Sequence, residues 1–368
     1  MAEPLKNMYN DSFFERFTQS AQKVVLNFDT DQFMKEIFDK EWEARELKQR
    51  MRHITLTFHN QLSKTYKKDI KTILKLIPEL LKAGFKKDAL EFIFLPDYVE
   101  VFGQDDFEVS IDALKEITQF VTCEFAIRPF IIEHEVAVIS HFYDWSKHKN
   151  EDVRRLASEG CRPRLPWSIA LPYLKKNPIT ILPILDELKN DESEYVRRSV
   201  ANNLNDIAKD HPETVIQLAK KWKGNTESTD KLIKHACRTL LKQGNPELMK
   251  LFGFGSISKI EVENFKIKYP KVKIGDYLIF SFLLKNKSDK SSLLRLEYGL
   301  YFKKANRSLS KKVFKISEKE YEGNSTTTIE RKQSFKIITT RKFHFGEHEI
   351  ALIINGKELE SHQFELVQ

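Results

Sequence analysis

The sequence predicts a mainly α protein in which a superhelical solenoid of paired helices is followed by a C-terminal β-sandwich. Three observations support this fold class. Apolar residues have helical spacing up to about residue 254, an internal repeat occupies the second half of that region, and short alternating segments follow from residue 257. With 368 residues the chain is long enough for two domains, which we place at 1–254 and 257–368.

Apolar residues recur every three or four positions in the first region. This spacing predicts helices at 67–85, 106–127, 179–190 and 213–224. Pro129 is expected to end the second of these helices, because proline cannot continue a helix. Glu124 should therefore lie in the final turns of that helix.

Three segments, 152–160, 195–203 and 232–240, align without gaps at offsets of 43 and 37 residues. These offsets are typical of HEAT-type helix pairs, which stack into an α-α solenoid with an extended concave binding face. Aligned positions hold an apolar residue (Val153, Val196, Ile233) followed by a basic one (Arg154, Arg197, Lys234). The aligned basic residues would lie in a row along one face of the solenoid, which we call the basic ladder. These side chains either bind a polyanion or pair with acidic residues of neighbouring repeats.

The spacing of apolar residues changes after 253–256. The segments that follow alternate apolar and polar residues and are separated by turn residues, which predicts an Ig-like β-sandwich. The sandwich would be the disulfide-free kind. The odd number and wide spacing of Cys123, Cys161 and Cys237 exclude both a disulfide framework and a structural zinc site. With no apolar run long enough for a signal or a membrane span, we expect a cytoplasmic protein.

Positive charge is concentrated at the C-terminal end. Residues 1–254 hold 39 basic and 39 acidic side chains, whereas residues 255–368 hold 22 and 14. This asymmetry favours a polyanionic partner such as nucleic acid, although a basic isoelectric point is also common among soluble proteins. A predicted hairpin turn at Ala305-Asn306 is surrounded by Lys303, Lys304, Arg307, Lys311, Lys312 and Lys315.

The segment EGCRPRLPW (159–167) departs from its own repeat, because Gly160, Pro163 and Pro166 forbid a regular helix. The helix should stop near Glu159, leaving Arg162, Arg164 and Trp167 on an irregular connection. Such a local inconsistency often marks a functional site. The alternative is a capped loop with Trp167 as a buried plug.

Glu124 and Arg128 are separated by four residues, so an ordinary surface ion pair is one explanation for them. The other is a carboxylate held against the helix dipole among Phe125, Ile127 and Phe130. The spacing alone leaves both explanations open.

Four runs carry a resemblance to a known family: FLPDYVEVFGQDDFE (94–108), CEFAIRPF (123–130), RRLASEGCRPRLPW (154–167) and YVRRSVANNLNDIAKDHP (195–212). They resemble the AlkC branch of the bacterial DNA alkylation-repair glycosylases. Those proteins are HEAT-like superhelical enzymes related to the AlkD branch, and some carry a C-terminal Ig-like domain. The basic run 298–315 is similar to the Ig-like tail of the longer members.

The resemblance implies hydrolytic excision of N-alkylated bases, chiefly 3-methyladenine and 3-methylcytosine, in base excision repair. It places the active-site carboxylates at Glu124 and Glu159 and the pocket tryptophan at Trp167. It also implies that no metal or other cofactor is needed, and that the partner is double-stranded DNA containing alkylated bases. We expect a monomer.

Carboxylates suit this chemistry because a cationic base leaves as a neutral species, so that the enzyme need only stabilise a cationic sugar and position water. Phosphates around the lesion would be held by Arg154, Arg155, Arg162, Arg164, Arg197 and Arg198. Asn202 and Asn203 would add neutral phosphate contacts, or else serve core or cap roles. The sequence does not decide whether the base is flipped out or the DNA is only bent.

Two further classes of function fit parts of the pattern. One is a non-catalytic HEAT-repeat scaffold that binds damaged DNA, and the other is a protein-binding solenoid with an adhesion-type Ig domain. The joint presence of Glu124, Glu159 and Trp167 favours the enzyme over the first alternative, and the basic ladder disfavours the second.

Overall fold

A computed structural model describes residues 3–338 and 341–368. Within these residues sixteen α-helices precede all the strands. They are α1 (Asp11–Ala21), α2 (Thr30–Ile37), α3 (Leu47–Asn60), α4 (Tyr66–Lys82), α5 (Phe94–Phe102), α6 (Phe107–Ile117), α7 (Arg128–Glu133), α8 (Glu135–Trp145), α9 (Glu151–Gly160), α10 (Pro172–Lys176), α11 (Leu182–Leu188), α12 (Glu194–Ile207), α13 (Pro212–Trp222), α14 (Glu227–Ala236), α15 (Arg238–Lys242) and α16 (Pro246–Leu251).

The predicted helix at 106–127 is too long. Helix α6 ends at Ile117, and irregular turns lead to α7, which begins at Arg128. Pro129 therefore lies in the first turn of a helix, where its missing N–H is not needed, and does not end the preceding one. The apolar pattern misled the prediction because Phe120, Val121 and other apolar residues of the connecting turns are also buried.

The three aligned segments of the internal repeat lie mainly on α9, α12 and α14, which are neighbours in the helix stack. Helix α12 packs against both α9 and α14, and the aligned residues Val153, Val196 and Ile233 are completely buried. The apolar position of each repeat is therefore the core-facing one. This packing confirms the HEAT-like arrangement of helix pairs.

Gly160 allows the end of α9 to approach its neighbours closely. A Cβ atom there would lie 2.8 Å from the Phe142 ring of α8 and 3.2 Å from Ile127 Cγ2. The close approach brings the C-terminal turn of α9 against the residues that precede α7. Glu159 and Glu124 lie on these two segments.

In the described part of the C-terminal region, eight strands form a sandwich of two sheets: β1 (Ile260–Ile267), β2 (Lys271–Lys273), β3 (Tyr277–Asn286), β4 (Ser292–Lys303), β5 (Leu309–Tyr321), β6 (Ser325–Ser334), β7 (Gly346–Ile354) and β8 (Lys357–Val367). One sheet has the order β1-β3-β6 and the other β2-β8-β7-β4-β5. The pairs are antiparallel except β2 with β8. Alternate residues of the central strands, such as Phe280, Phe282 and Leu300, fill the core.

The chain forms two compact units. The first comprises residues up to His211 together with Trp222–Ala236, and the second comprises Pro212–Lys221 and Cys237–Gln368. Most of α13 and all of α15 and α16 thus belong to the unit that contains the sandwich. The last helix ends at Leu251 and the first strand begins at Ile260. A domain boundary at 254–257 therefore marks the change from helices to strands, and it does not coincide with the division into compact units.

All three cysteines are buried and unpaired. Burial raises the pKa of Cys161 and of Cys237 to about 12, and it also raises the pKa of Cys123 well above its ordinary value. Over residues 3–338 and 341–368, no helix is both long and apolar enough to cross a bilayer.

Candidate active site

Glu124 lies in the turn between α6 and α7 and not at a helix end, so the predicted helical position is wrong. The residue is only 7% exposed. The surface ion pair with Arg128 is also wrong, because the partner is Arg155 of α9. The Arg155 Nη1 donates to Glu124 Oε2 at 3.2 Å, and Nη2 donates to Oε1 at 3.4 Å.

The Arg155 guanidinium is held from several directions. It donates to Thr122 Oγ1 at 2.8 Å and lies 4.5 Å from the centroid of the Tyr195 ring. Burial on its own lowers the pKa of Arg155, but Glu124 and Glu159 together raise that pKa above its ordinary value. Arg155 is therefore a fixed cation at every physiological pH.

Glu159 lies in the last turn of α9 and is 5% exposed. A carboxylate at this end of a helix is disfavoured by the dipole and needs donors. Arg162 Nη1 and Ser199 Oγ each donate to it at 2.6 Å, and Arg155 Nη2 lies 3.9 Å from Glu159 Oε1. The two glutamates predicted from separate segments therefore contact the same guanidinium group.

Asp206 of α12 completes this network, and sequence reasoning missed it. Arg162 Nε donates to Asp206 Oδ2 at 2.9 Å and its Nη2 lies 2.8 Å from the same oxygen, and Lys209 Nζ lies 2.9 Å from Asp206 Oδ1. A usable signal was present. Asp206 follows Ser199 by seven residues and so shares its buried helix face, where a carboxylate needs a cationic partner.

Arg128 joins the segments that carry the two glutamates. Its buried guanidinium donates to three carbonyl oxygens: Ile169 at 2.6 Å, Gly160 at 2.9 Å and Arg162 at 3.0 Å. Burial lowers the pKa of Arg128 to about 10, which still leaves it charged at neutral pH. The irregular connection after α9 is thus fixed to the start of α7.

Trp167 is not a buried plug, because its side chain is 60% exposed. It occupies the turn at 163–169, which we call the Trp167 turn, and has a φ of +65°, a region that residues with a Cβ rarely adopt. Its carbonyl oxygen accepts a hydrogen bond from Lys48 Nζ at 2.6 Å. The indole is therefore presented to solvent by a backbone that its surroundings hold in place.

A cleft of about 590 Å³ opens beside these residues. Phe125, next to Glu124, and Ser168, next to Trp167, line one part of it, and Lys48, Arg52 and Glu100 line another. Burial raises the pKa of Glu100, although Arg52 at 2.8 Å opposes that increase. Glu124, Glu159 and Trp167 are not among the residues that line the cleft, which is bordered by the sequence neighbours of Glu124 and Trp167.

Most of the predicted phosphate-binding arginines are already paired within the protein. Arg154 is buried and binds Asp191 in a bidentate manner at 2.6 and 3.0 Å, so a phosphate contact would require this pair to separate. Arg155 and Arg162 belong to the carboxylate network described above. Of the basic ladder positions, Arg154 matches the alternative in which an arginine pairs with an acid of the neighbouring repeat.

Three of the predicted arginines reach the surface. Arg164 pairs with Asp210, with Nη2 2.6 Å from Oδ1, and Arg197 donates to the carbonyl oxygens of the preceding loop. Arg198 is exposed, and its contact with Glu194 is a weak pair at 3.5 Å. These positions remain candidates for contact with DNA.

A groove of about 630 Å³ between α12 and α14 collects several polar side chains. Arg197, Arg198, Asn202, Lys231 and His235 line it. Asn203, by contrast, is fully buried, and its Nδ2 donates to the Ser158 carbonyl at 2.8 Å. Asn203 therefore has the core role that was one of its two predicted alternatives.

The basic hairpin is present in the sandwich unit. Strands β4 and β5 pair from Lys303 with Leu309, and Lys304 and Arg307 lie in the exposed turn between them. Lys312 is also exposed, whereas Lys311 pairs with Glu358 and lies over the Tyr301 ring. Arg341 and Lys342, distant in sequence, line the same small cavity as Lys304 and Lys312.

Comparison with known proteins decides the family. A family model described as "DNA alkylation repair enzyme" matches residues 31–240. The chain belongs to this family. A second model, the C-terminal Ig-like domain of the protein YhaZ, matches residues 261–368 and shows that the sandwich is Ig-like.

Two relatives of this DNA alkylation repair enzyme match over almost the whole chain. The Bacillus subtilis (strain 168) protein described as uncharacterized protein YhaZ is 41% identical over 362 residues, which is 98% of this chain and 99% of that one. The Pseudomonas fluorescens alkylpurine DNA glycosylase AlkC, solved bound to DNA containing an abasic site analog, is 34% identical with a TM-score of 0.93, covering 100% of both chains. The chain is thus an AlkC-type member with a C-terminal Ig-like domain.

Proposed function

We propose that the chain is a DNA glycosylase that releases cationic N-alkylated bases, chiefly 3-methyladenine and 3-methylcytosine, by hydrolysing the N-glycosidic bond. The family and the likeness to an alkylpurine DNA glycosylase support this proposal. The observation that carries it is the convergence of Glu124 and Glu159 on the Arg155 guanidinium.

The proposed reaction needs negative charge more than it needs a proton donor. A cationic base leaves as a neutral molecule, and positive charge then accumulates on the deoxyribose. Glu124 is suited to stabilise that charge, because its contacts with Arg155 at 3.2 and 3.4 Å are longer than the 2.6 Å contacts of Glu159. Glu124 thus keeps acceptor capacity for the sugar or for the attacking water.

Arg155, Arg162 and Ser199 would act by holding the carboxylates in place. Each donates to Glu124 or Glu159, so the negative groups need no reorganisation when charge develops on the sugar. Preorganised charge in a site that excludes water is worth far more than the same charge in bulk solvent.

Trp167 supplies an exposed aromatic face on the same structural unit. Its indole would lie against the sugar or the cationic base, and a cation–π contact of this kind contributes about 0.5–2 kcal/mol when desolvated. The fixed backbone of the Trp167 turn would direct that contact toward the lesion.

The direct test is to incubate the full chain with methylated duplex DNA in EDTA and to identify released bases by mass spectrometry. Free 3-methyladenine and 3-methylcytosine should appear at the same rate with and without EDTA, because guanidinium groups already occupy the carboxylates. Binding to methylated DNA without base release would favour a non-catalytic scaffold. Loss of activity in EDTA that a divalent cation restores would contradict the mechanism.

Arg198 should contribute a phosphate contact that carries no sequence information. Replacing it with alanine should weaken binding to damaged and undamaged duplex equally. The slope of log K against log salt concentration should become shallower by about 0.9. Arg198→Lys, which keeps the charge, should retain the slope. An unchanged slope for the alanine variant would show that Arg198 does not contact DNA.

The basic hairpin of the Ig-like domain should also bind DNA. The full-length triple variant Lys304→Ser/Arg307→Ser/Lys312→Ser should bind duplex more weakly, and its salt slope should be shallower by about 0.9 for every phosphate that the variant no longer binds. A matched variant removes three exposed lysines elsewhere in the domain, Lys259, Lys266 and Lys290, and should bind more tightly than the hairpin variant. Equal effects would mean that the domain contributes only general positive charge.

A further inference from the structure

The Trp167 turn depends on contacts from other parts of the unit. A tryptophan with a φ of +65° adopts a conformation that the chain does not favour by itself. Arg128 fixes the two flanks of the turn through the carbonyls of Arg162 and Ile169. The peptide that follows Trp167 itself is held by a different residue.

That residue is Lys48, in the first turn of α3 and distant in sequence. Its ammonium nitrogen donates to the Trp167 carbonyl at 2.6 Å and lies 5.3 Å from the centroid of the Phe125 ring. Phe125 directly follows Glu124. A single side chain therefore contacts both the segment that carries the exposed tryptophan and the segment that carries the less engaged carboxylate.

Lys48 is exposed, and it lies close to an acidic side chain of the cleft. It lines the cleft with Arg52 and Glu100, and the Glu100 carboxylate attracts its ammonium group. A hydrogen bond from an ammonium group to a carbonyl is stronger than a neutral one. Removing that donor frees the strained peptide, although the other contacts of the fold remain.

We propose that Lys48 is a positioning residue for base release, which fixes the Trp167 indole relative to Glu124. The inference rests on the proposed glycosylase function. In this role Lys48 contacts neither the reacting atoms nor a phosphate group. Its effect should appear in the chemical step, because misplacing a contacting group by about 1 Å costs on the order of 10²-fold in rate.

The test compares Lys48→Met with Lys48→Arg and with Lys40→Met, which removes an exposed lysine eight positions earlier. Tryptophan fluorescence of the free full chain gives a readout that needs no activity. Trp42, Trp145 and Trp222 are 3%, 5% and 0% exposed, so acrylamide quenching reports mainly on Trp167. A Trp167→Phe background identifies its contribution.

For Lys48→Met, we expect lower anisotropy and altered quenching of Trp167, and a single-turnover rate of base release lower by roughly 10- to 100-fold at saturating enzyme. Affinity for DNA should change little. Lys48→Arg should restore both signals, and Lys40→Met should change neither. Unchanged fluorescence with an unchanged rate would overturn the inference, as would a loss confined to DNA affinity with a shallower salt slope. If the wild-type chain released no base, the proposed function would fail, while the fluorescence comparison would still decide whether Lys48 fixes the Trp167 turn.

Discussion

Replacement of Glu124 with glutamine is expected to lower the single-turnover rate of base release by about 10²–10³-fold, the range measured when one preorganised electrostatic group is removed from an active site. Glutamine keeps the shape of the side chain and removes the negative charge that would face the cationic sugar. Binding to methylated DNA should persist, since the loss concerns an interaction that develops in the transition state.

Glu133→Gln is the matched control, because it removes a carboxylate from an exposed position in α7. Its rate should equal that of the wild type. Glu159→Gln should act in the same direction as Glu124→Gln. It should also lower the free energy of unfolding by about 1–3 kcal/mol, because it disturbs the buried donors Arg162 and Ser199. Near wild-type turnover in both variants would contradict the assignment of the carboxylates.

Arg128→Met is expected to have the largest effect on stability. It leaves the carbonyls of Gly160 and Arg162, whose hydrogen bonds are buried, and that of Ile169, whose bond is partly buried, without this donor. Each buried carbonyl left without its donor costs about 1–3 kcal/mol, so for two of them we expect the free energy of unfolding to fall by roughly 2–6 kcal/mol. Urea denaturation followed by far-ultraviolet circular dichroism measures the change as a lower midpoint.

Two controls separate charge from hydrogen bonding at this position. Arg128→Lys keeps the positive charge but cannot reproduce the planar fork of donors, so its stability should lie between those of the wild type and the methionine variant. Arg198→Met removes an exposed arginine and should cost less than about 0.5 kcal/mol. An Arg128→Met protein as stable as the wild type would show that water satisfies the three carbonyls.

The fold was predictable where the sequence pattern reports directly on burial. The aligned Val153, Val196 and Ile233 all face the core, since a repeated apolar position in a helix stack has one environment. The end of α6 was not predictable in this way. The turns after Ile117 are as apolar as the helix, and periodicity cannot separate a buried helix from a buried turn.

The candidate site was predictable in its residue types but not in its pairings. Sequence adjacency suggested Arg128 as the partner of Glu124, whereas the partner is Arg155, which is thirty-one positions away. Arg154 similarly finds Asp191 in the following repeat. A basic side chain carries no sequence signal that distinguishes a phosphate from an acid brought near by folding. The sequence likewise gives no sign that Lys48 lies beside the carbonyl of Trp167. Asp206, by contrast, could have been inferred from the buried helix face that it shares with Ser199.

The burial of all three cysteines should protect this enzyme from methylation of its own thiols. A protein that repairs alkylated DNA acts while methylating electrophiles are present, and thiolates are the most reactive protein targets for such reagents. Burial raises the pKa of Cys161 and of Cys237 to about 12 and that of Cys123 well above its ordinary value, so each sulfur stays protonated and shielded from solvent. Cys123 directly precedes Glu124 and Cys161 lies two residues after Glu159, where an added methyl group would disturb the carboxylate network. The chain should therefore keep its repair capacity at doses of methylating agent that would inactivate an enzyme with an exposed thiol.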